Sequence, residues 1–128
     1  MTAAQRLCRL GPLLVITAIF FTSSLSGTAP DSPLLIVSAP LRNFAHIPAY
    51  ALLGASLCLA LPRHGGWRMA MFALVLTLGY GVLDEWHQSF VPGRVVSGTD
   101  LLRDVLGGSI GIALMRRQWA AKRRTADC

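Results

Sequence analysis

The chain has 128 residues, 53% hydrophobic and 14% charged, with mean hydropathy +0.52 and net charge +6. That is more apolar and less charged than an ordinary soluble domain of this length, and it reads as one domain, residues 1–128. The basic residues cluster as topology determinants do, so no nucleic-acid partner is expected.

The first apolar block is Leu10–Leu25, preceded by Arg6 and Arg9. With Ser26-Gly27-Thr28-Ala29 behind it, it shares features with a signal peptide. The run is long for such a segment, and a retained span is expected. Cys8 lies ahead of the run, which excludes a lipoprotein cysteine. The connection Ser26–Arg42 carries Pro30, Pro33 and Pro40, so it is not a continuous helix.

The second block, Phe44–Leu61, is long enough as a helix to cover about 27 Å, close to a bilayer core. Cys58 falls inside it, and no cysteine falls in an outer loop, so no disulfide is expected. Pro62–Gly66, with Arg63 and His64, is a tight turn into the third block, Trp67–Leu83. A polar stretch follows: Asp84, Glu85, His87 and Gln88, then Val91-Pro92-Gly93-Arg94, which has the composition of a β-turn. His87 is expected to face water. Ser97-Gly98-Thr99-Asp100 supplies capping chemistry for a last helix. The fourth apolar block, Val105–Met115, is short and must draw charged residues toward the lipid boundary. A basic tail, Arg116 to Cys128, ends the chain. Trp67, Trp86 and Trp119 lie near predicted helix ends, where interfacial aromatics gather.

If all four blocks span, nine of the twelve basic residues lie on one side. Arg42, Arg94 and Arg103 lie on the other. The positive-inside rule then predicts an all-α integral membrane bundle of four transmembrane helices with both termini cytoplasmic. Four of the six acidic residues fall within the 21 positions from Asp84 to Asp104, which this topology puts on the outer side between two apolar segments, where carboxylates are costly and rarely idle.

Helical spacing gives these acids companions. His46 and Tyr50 share a face of the second helix. Asp84, Glu85 and Gln88 group at the end of the third, and Asp100, Arg103 and Asp104 at the start of the fourth. With Arg42, Arg94 and Ser97 they form the predicted pocket. His46, Asp84 and Glu85 are its candidate catalytic groups. Structural readings stand beside these: ion pairs of the acids with Arg94 and Arg103, a hydrogen-bonded core histidine, and helix capping by Asp100. Gly107 and Gly111 have the small-xxx-small spacing of close helix packing. His46, Asp84, Glu85 and His87 are metal-donor types, but no spacing such as HExxH joins them, so no metal and no cofactor is assigned.

Arg42, His46, Tyr50, Asp84-Glu85-x-x-Gln88, Pro92-Gly93-Arg94, Ser97, Asp100, Gly107 and Gly111 together resemble the VanZ-like family of small bacterial membrane proteins. The resemblance covers about 42–114. The family commonly has Asp-Lys where this chain has Leu41-Arg42, and Asn where it has Asp104. It implies a multi-pass protein of the bacterial cell envelope, linked by family to resistance against teicoplanin-type antibiotics, with no established reaction.

The leading expectation is an outer-facing pocket for an anionic lipid or a lipid-linked cell-wall precursor, with arginines on the phosphate. The alternatives are a membrane-embedded enzyme acting on a phospholipid or lipid phosphate, and a structural helix-packing partner of another envelope protein. A homo-oligomer is compatible with either. A proton-coupled transporter is disfavoured, because the cytoplasmic half of the predicted spans contains no acid.

Overall fold

The computed structural model describes residues 3–25, 39–62 and 66–126, with side chains described over 8–25, 41–62 and 66–121. Residues 26–38 of the proline-rich connection, Arg63, His64 and Cys128 lie outside the described residues, as do the side chains of Arg6, Lys122, Arg123 and Arg124; the last four residues of that connection, Ala39 to Arg42, open the second helix, with Pro40 in its first turn. Four helices follow in order: α1 (Ala3–Ser23), α2 (Ala39–Ala60), α3 (Gly66–Gln88) and α4 (Gly98–Ala126). No strand occurs among the described residues.

The exterior is apolar and much of the interior is polar. Leu13, Leu14, Phe21, Leu52, Phe72, Val75, Leu83 and Leu106 are exposed, while Thr77, Asp84, Glu85, Gln88, Asp100 and Asp104 are buried. A water-soluble bundle distributes these residue types the other way round. Two helices are long and apolar enough to cross a membrane, Leu41–Ala60 and Gly66–Gln88. Only 28% and 17% of their most apolar windows are buried, whereas the core helix of a soluble protein is mostly buried. The apolar part of α1, Cys8–Ser23, is shorter. Helix α4 extends the short fourth apolar block at both ends, taking in Asp100, Arg103 and Asp104 upstream and Arg116 and Arg117 downstream.

Pro12 and Pro48 lie inside α1 and α2. Each removes one backbone donor, a defect that neighbouring helices accommodate in apolar surroundings.

Helices α2 and α4 pack with their backbones nearly touching. A Cβ placed on Gly107 or Gly111 would collide with the carbonyl of Ile47 or Ala51, and one on Gly54 would lie 2.5 Å from the Gly108 carbonyl oxygen. Glycine costs a helix interior about 1 kcal/mol relative to alanine. Here it permits close dispersion contact between the two backbones. Gly108 in turn faces Thr77 of α3. The apolar core, Tyr50, Leu53, Leu57, Ala73 and Ile112 with Ile19 of α1, surrounds this contact.

The polar segment between α3 and α4 is ordered by local bonds. Arg94 N–H donates to the Val91 carbonyl at 3.1 Å, and Gly93 has φ 76°, which closes a type II turn with Pro92 at its second position. The Ser97 carbonyl accepts from the N–H groups of Asp100 (2.9 Å) and Leu101 (3.3 Å), so α4 begins where the capping residues predict.

Candidate functional site

At one end of the bundle the last turns of α3 meet the early turns of α2 and α4. His46 of α2 and Asp104 of α4 bond through Nδ1 and Oδ1 at 2.8 Å. Asp104 is fully buried, so a fixed partner is needed to offset its desolvation. Four residues on, the Tyr50 ring lies parallel to that of His46 at 6.1 Å. Its hydroxyl donates a long bond, 3.5 Å, to Asp84 Oδ2. Gln88 Nε2 donates to the same oxygen at 2.9 Å. Helical spacing on α2 and α3 thus builds one polar line across three helices.

Glu85 faces the connection instead. Its Oε2 accepts the Ser97 N–H at 2.9 Å, fastening the end of the loop to α3. The Ser97 hydroxyl bonds that of Thr99 at 2.6 Å. Asp100 pairs with Arg103 one turn along α4, and the Arg103 guanidinium sits 5.9 Å over the Phe44 ring. The anticipated ion pairs of Asp84 or Glu85 with Arg94 and Arg103 do not occur among the described residues. Each acid is occupied by a closer neutral or local donor.

Arg94 reaches across to α1, donating to the Thr22 carbonyl at 3.4 Å, while its Nε is buried without a hydrogen-bond partner. Burial, and then the charge of nearby Arg42, pull its guanidinium below its ordinary value against the opposing pull of Asp84, Asp100 and Glu85. Asp84 Oδ1, Glu85 Oε1 and Asp104 Oδ2 are likewise buried without partners. Such atoms cost about 1–3 kcal/mol each when left unpaired.

An open cavity of about 560 Å³ adjoins this cluster, between the end of α1 and the start of α2. Ile19, Leu41, Phe44, Ala45, Pro48 and Ala49 make its apolar walls, and Arg42, His46, Tyr50, Asp84 and Arg94 its polar side. Its volume lies in the usual range for ligand sites, and apolar walls with a few convergent polar groups are their usual form. Asp100, Arg103 and Asp104 stand behind His46 and do not line it; Gly107 and Gly111 lie deeper, at the helix contact.

No residue of α1 was among those expected in the pocket. Thr22 and Ser23 line the cavity, and Ser24 Oγ bonds His87 Nε2 at 2.9 Å. Contrary to the water-facing expectation, His87 is half-buried, its ring 4.6 Å from that of Phe20. The Tyr80 hydroxyl donates to the Ile16 carbonyl at 2.9 Å, a second polar tie to α1. The signal was present: Thr22-Ser23-Ser24 is a polar triplet closing an apolar run.

No curated protein and no solved structure matches the chain. The family assignment rests on a family model that matches residues 2–120, nearly the whole length, including every residue of the polar cluster and its cavity. The chain belongs to the VanZ/LLP1 family.

Proposed function

We propose that this is a multi-pass protein of the bacterial cytoplasmic membrane whose cavity binds an anionic lipid, or the lipid-linked form of a cell-wall precursor. The observation that carries the reading is Arg94: a half-buried guanidinium whose Nε is buried without a partner, beside Arg42, on the polar side of an otherwise apolar cavity. The two like charges oppose each other, and a phosphate between them relieves that repulsion through charge-assisted hydrogen bonds. The apolar walls suit an alkyl chain.

In this reading α1 and α4 cross the membrane with α2 and α3, both termini are cytoplasmic, and the cavity opens to the outer leaflet. The excess of basic residues at the opposite ends of the helices supports that orientation. The family's association with teicoplanin resistance fits a role in the outer envelope.

A titration of the full chain with fluorescently labelled phosphatidylglycerol tests the pocket. Arg94→Ala is expected to weaken binding about tenfold or more, the worth of a charge-assisted bond. Unchanged affinity in both Arg94→Ala and Arg42→Ala rules the pocket out.

A membrane-embedded enzyme is the second reading, favoured by the His46–Asp104 pair. Asp104 holds Nδ1, which fixes the imidazole on the polar side of the cavity for proton transfer to or from a bound phosphoester. Release of headgroup or phosphate by the purified protein, lost in His46→Gln, distinguishes turnover from binding.

A further inference from the structure

The cavity presents two buried, unpartnered polar groups of opposite kind. Arg94 Nε is a donor without an acceptor, and Asp84 Oδ1 is an acceptor without a donor. Both residues line the same cavity. Asp84 is 3% exposed, so neither oxygen has ready access to bulk water. Its other oxygen, Oδ2, receives the Gln88 amide at 2.9 Å and the Tyr50 hydroxyl at 3.5 Å.

A ligand that offers only negative charge satisfies half of this wall. A bare phosphate monoester brings a second negative charge toward Asp84 and leaves Oδ1 unpaired. A phosphodiester carries a single charge. If its head also bears a hydroxyl or an ammonium group, it supplies an acceptor to Arg94 and a donor to Asp84 together.

We infer, building on the lipid-pocket reading, that the cavity selects a phosphodiester amphiphile whose head carries a hydrogen-bond donor, and that Asp84 makes the selection. Arg42 and Arg94 fix the phosphate; Asp84 reads what is attached to it. Leaving a buried polar group unpaired is what rejects the wrong head, and such rejection discriminates more strongly than a change in apolar fit.

The test compares phosphatidylglycerol with phosphatidylmethanol of identical chains. Both are singly charged diesters, and only the first has head hydroxyls. Equal amounts are offered to the full chain in nanodiscs, and retained lipid is quantified after release. Wild type is expected to favour phosphatidylglycerol by about tenfold. Asp84→Asn keeps an oxygen for Gln88 and Tyr50 and turns the unpartnered position into an amide donor. Its preference is expected to fall below about twofold, with phosphatidylmethanol retention rising because a negative charge is gone. A variant that merely misfolds loses both lipids, and Gln88→Met, which removes the donor to Oδ2 without adding a charge, then serves as a second probe of the preference. Equal retention of the two lipids by wild type, still dependent on Arg94, overturns the selection by Asp84 and leaves the pocket standing. Retention that ignores Arg94 overturns the pocket itself. A wild-type preference that persists in Asp84→Asn assigns the selection elsewhere and refutes the inference. The soluble head glycerophosphoglycerol, added in excess, is expected not to displace the lipid; displacement shows that the head alone is the ligand and refutes an amphiphile.

Discussion

Gly111→Ala tests the link between helix packing and the site most sharply. The added Cβ would meet the Ala51 carbonyl more than an ångström inside ordinary van der Waals contact, which begins at 3.4 Å. The opposing atom is backbone, so no rotamer change relieves the clash; α2 and α4 must move apart. Overpacking of this kind costs about 1–3 kcal/mol, and backbone against backbone belongs at the upper end. For a chain of this size that corresponds to a fall of roughly 5–15 °C in the unfolding midpoint. The His46–Asp104 bond spans the same two helices at 2.8 Å, so an ångström of separation takes it beyond hydrogen-bonding range. Lipid affinity should therefore fall together with stability. Gly79→Ala is the control: it is exposed on α3, and nothing lies within 4 Å of the place its methyl group would take. There alanine should be neutral or stabilising by up to about 1 kcal/mol. Thermal unfolding in detergent, followed by intrinsic tryptophan fluorescence, reads both variants. Equal midpoints for Gly111→Ala and Gly79→Ala would refute the backbone-contact reasoning.

Asp104→Leu leaves His46 without its partner in a buried position and should destabilise by about 3–5 kcal/mol, whereas Asp104→Asn retains an acceptor for Nδ1 and should cost about 1 kcal/mol; matching losses would show that the pair is incidental. An outer-compartment reporter inserted after Ser97 should be active and one after Gly65 silent, and reversed signals would overturn the assigned orientation.

The outline of the site was legible because helical period and chain order are strong constraints. His46 with Tyr50, and Asp84 with Gln88, are four apart, and an up-down chain places their helix ends together. Rank within the cluster was less legible. Asp100 and Asp104 share a spacing, yet Asp100 takes a local partner in Arg103 while Asp104 turns inward to His46. Sequence spacing does not say which bond wins when a local and a tertiary donor compete. Glu85 and Asp84 are adjacent and point to different tasks for the same reason: a 100° turn of the helix sends one to the core line and the other to Ser97. Gly107 and Gly111 were readable as a small-residue pair, but their opposites, the carbonyls of Ile47 and Ala51, carry no sequence signature. The polar end of α1 escaped because an apolar run draws attention to its middle, and the cavity wall is built from its last turn.

The most direct measurement is native mass spectrometry of the full chain released from nanodiscs containing equal phosphatidylglycerol and phosphatidylcholine. A cavity that grips an anion between Arg42 and Arg94 should retain one phosphatidylglycerol per chain and lose it in Arg94→Ala. Equal retention of the two lipids, unaltered by Arg94→Ala, would contradict the assignment.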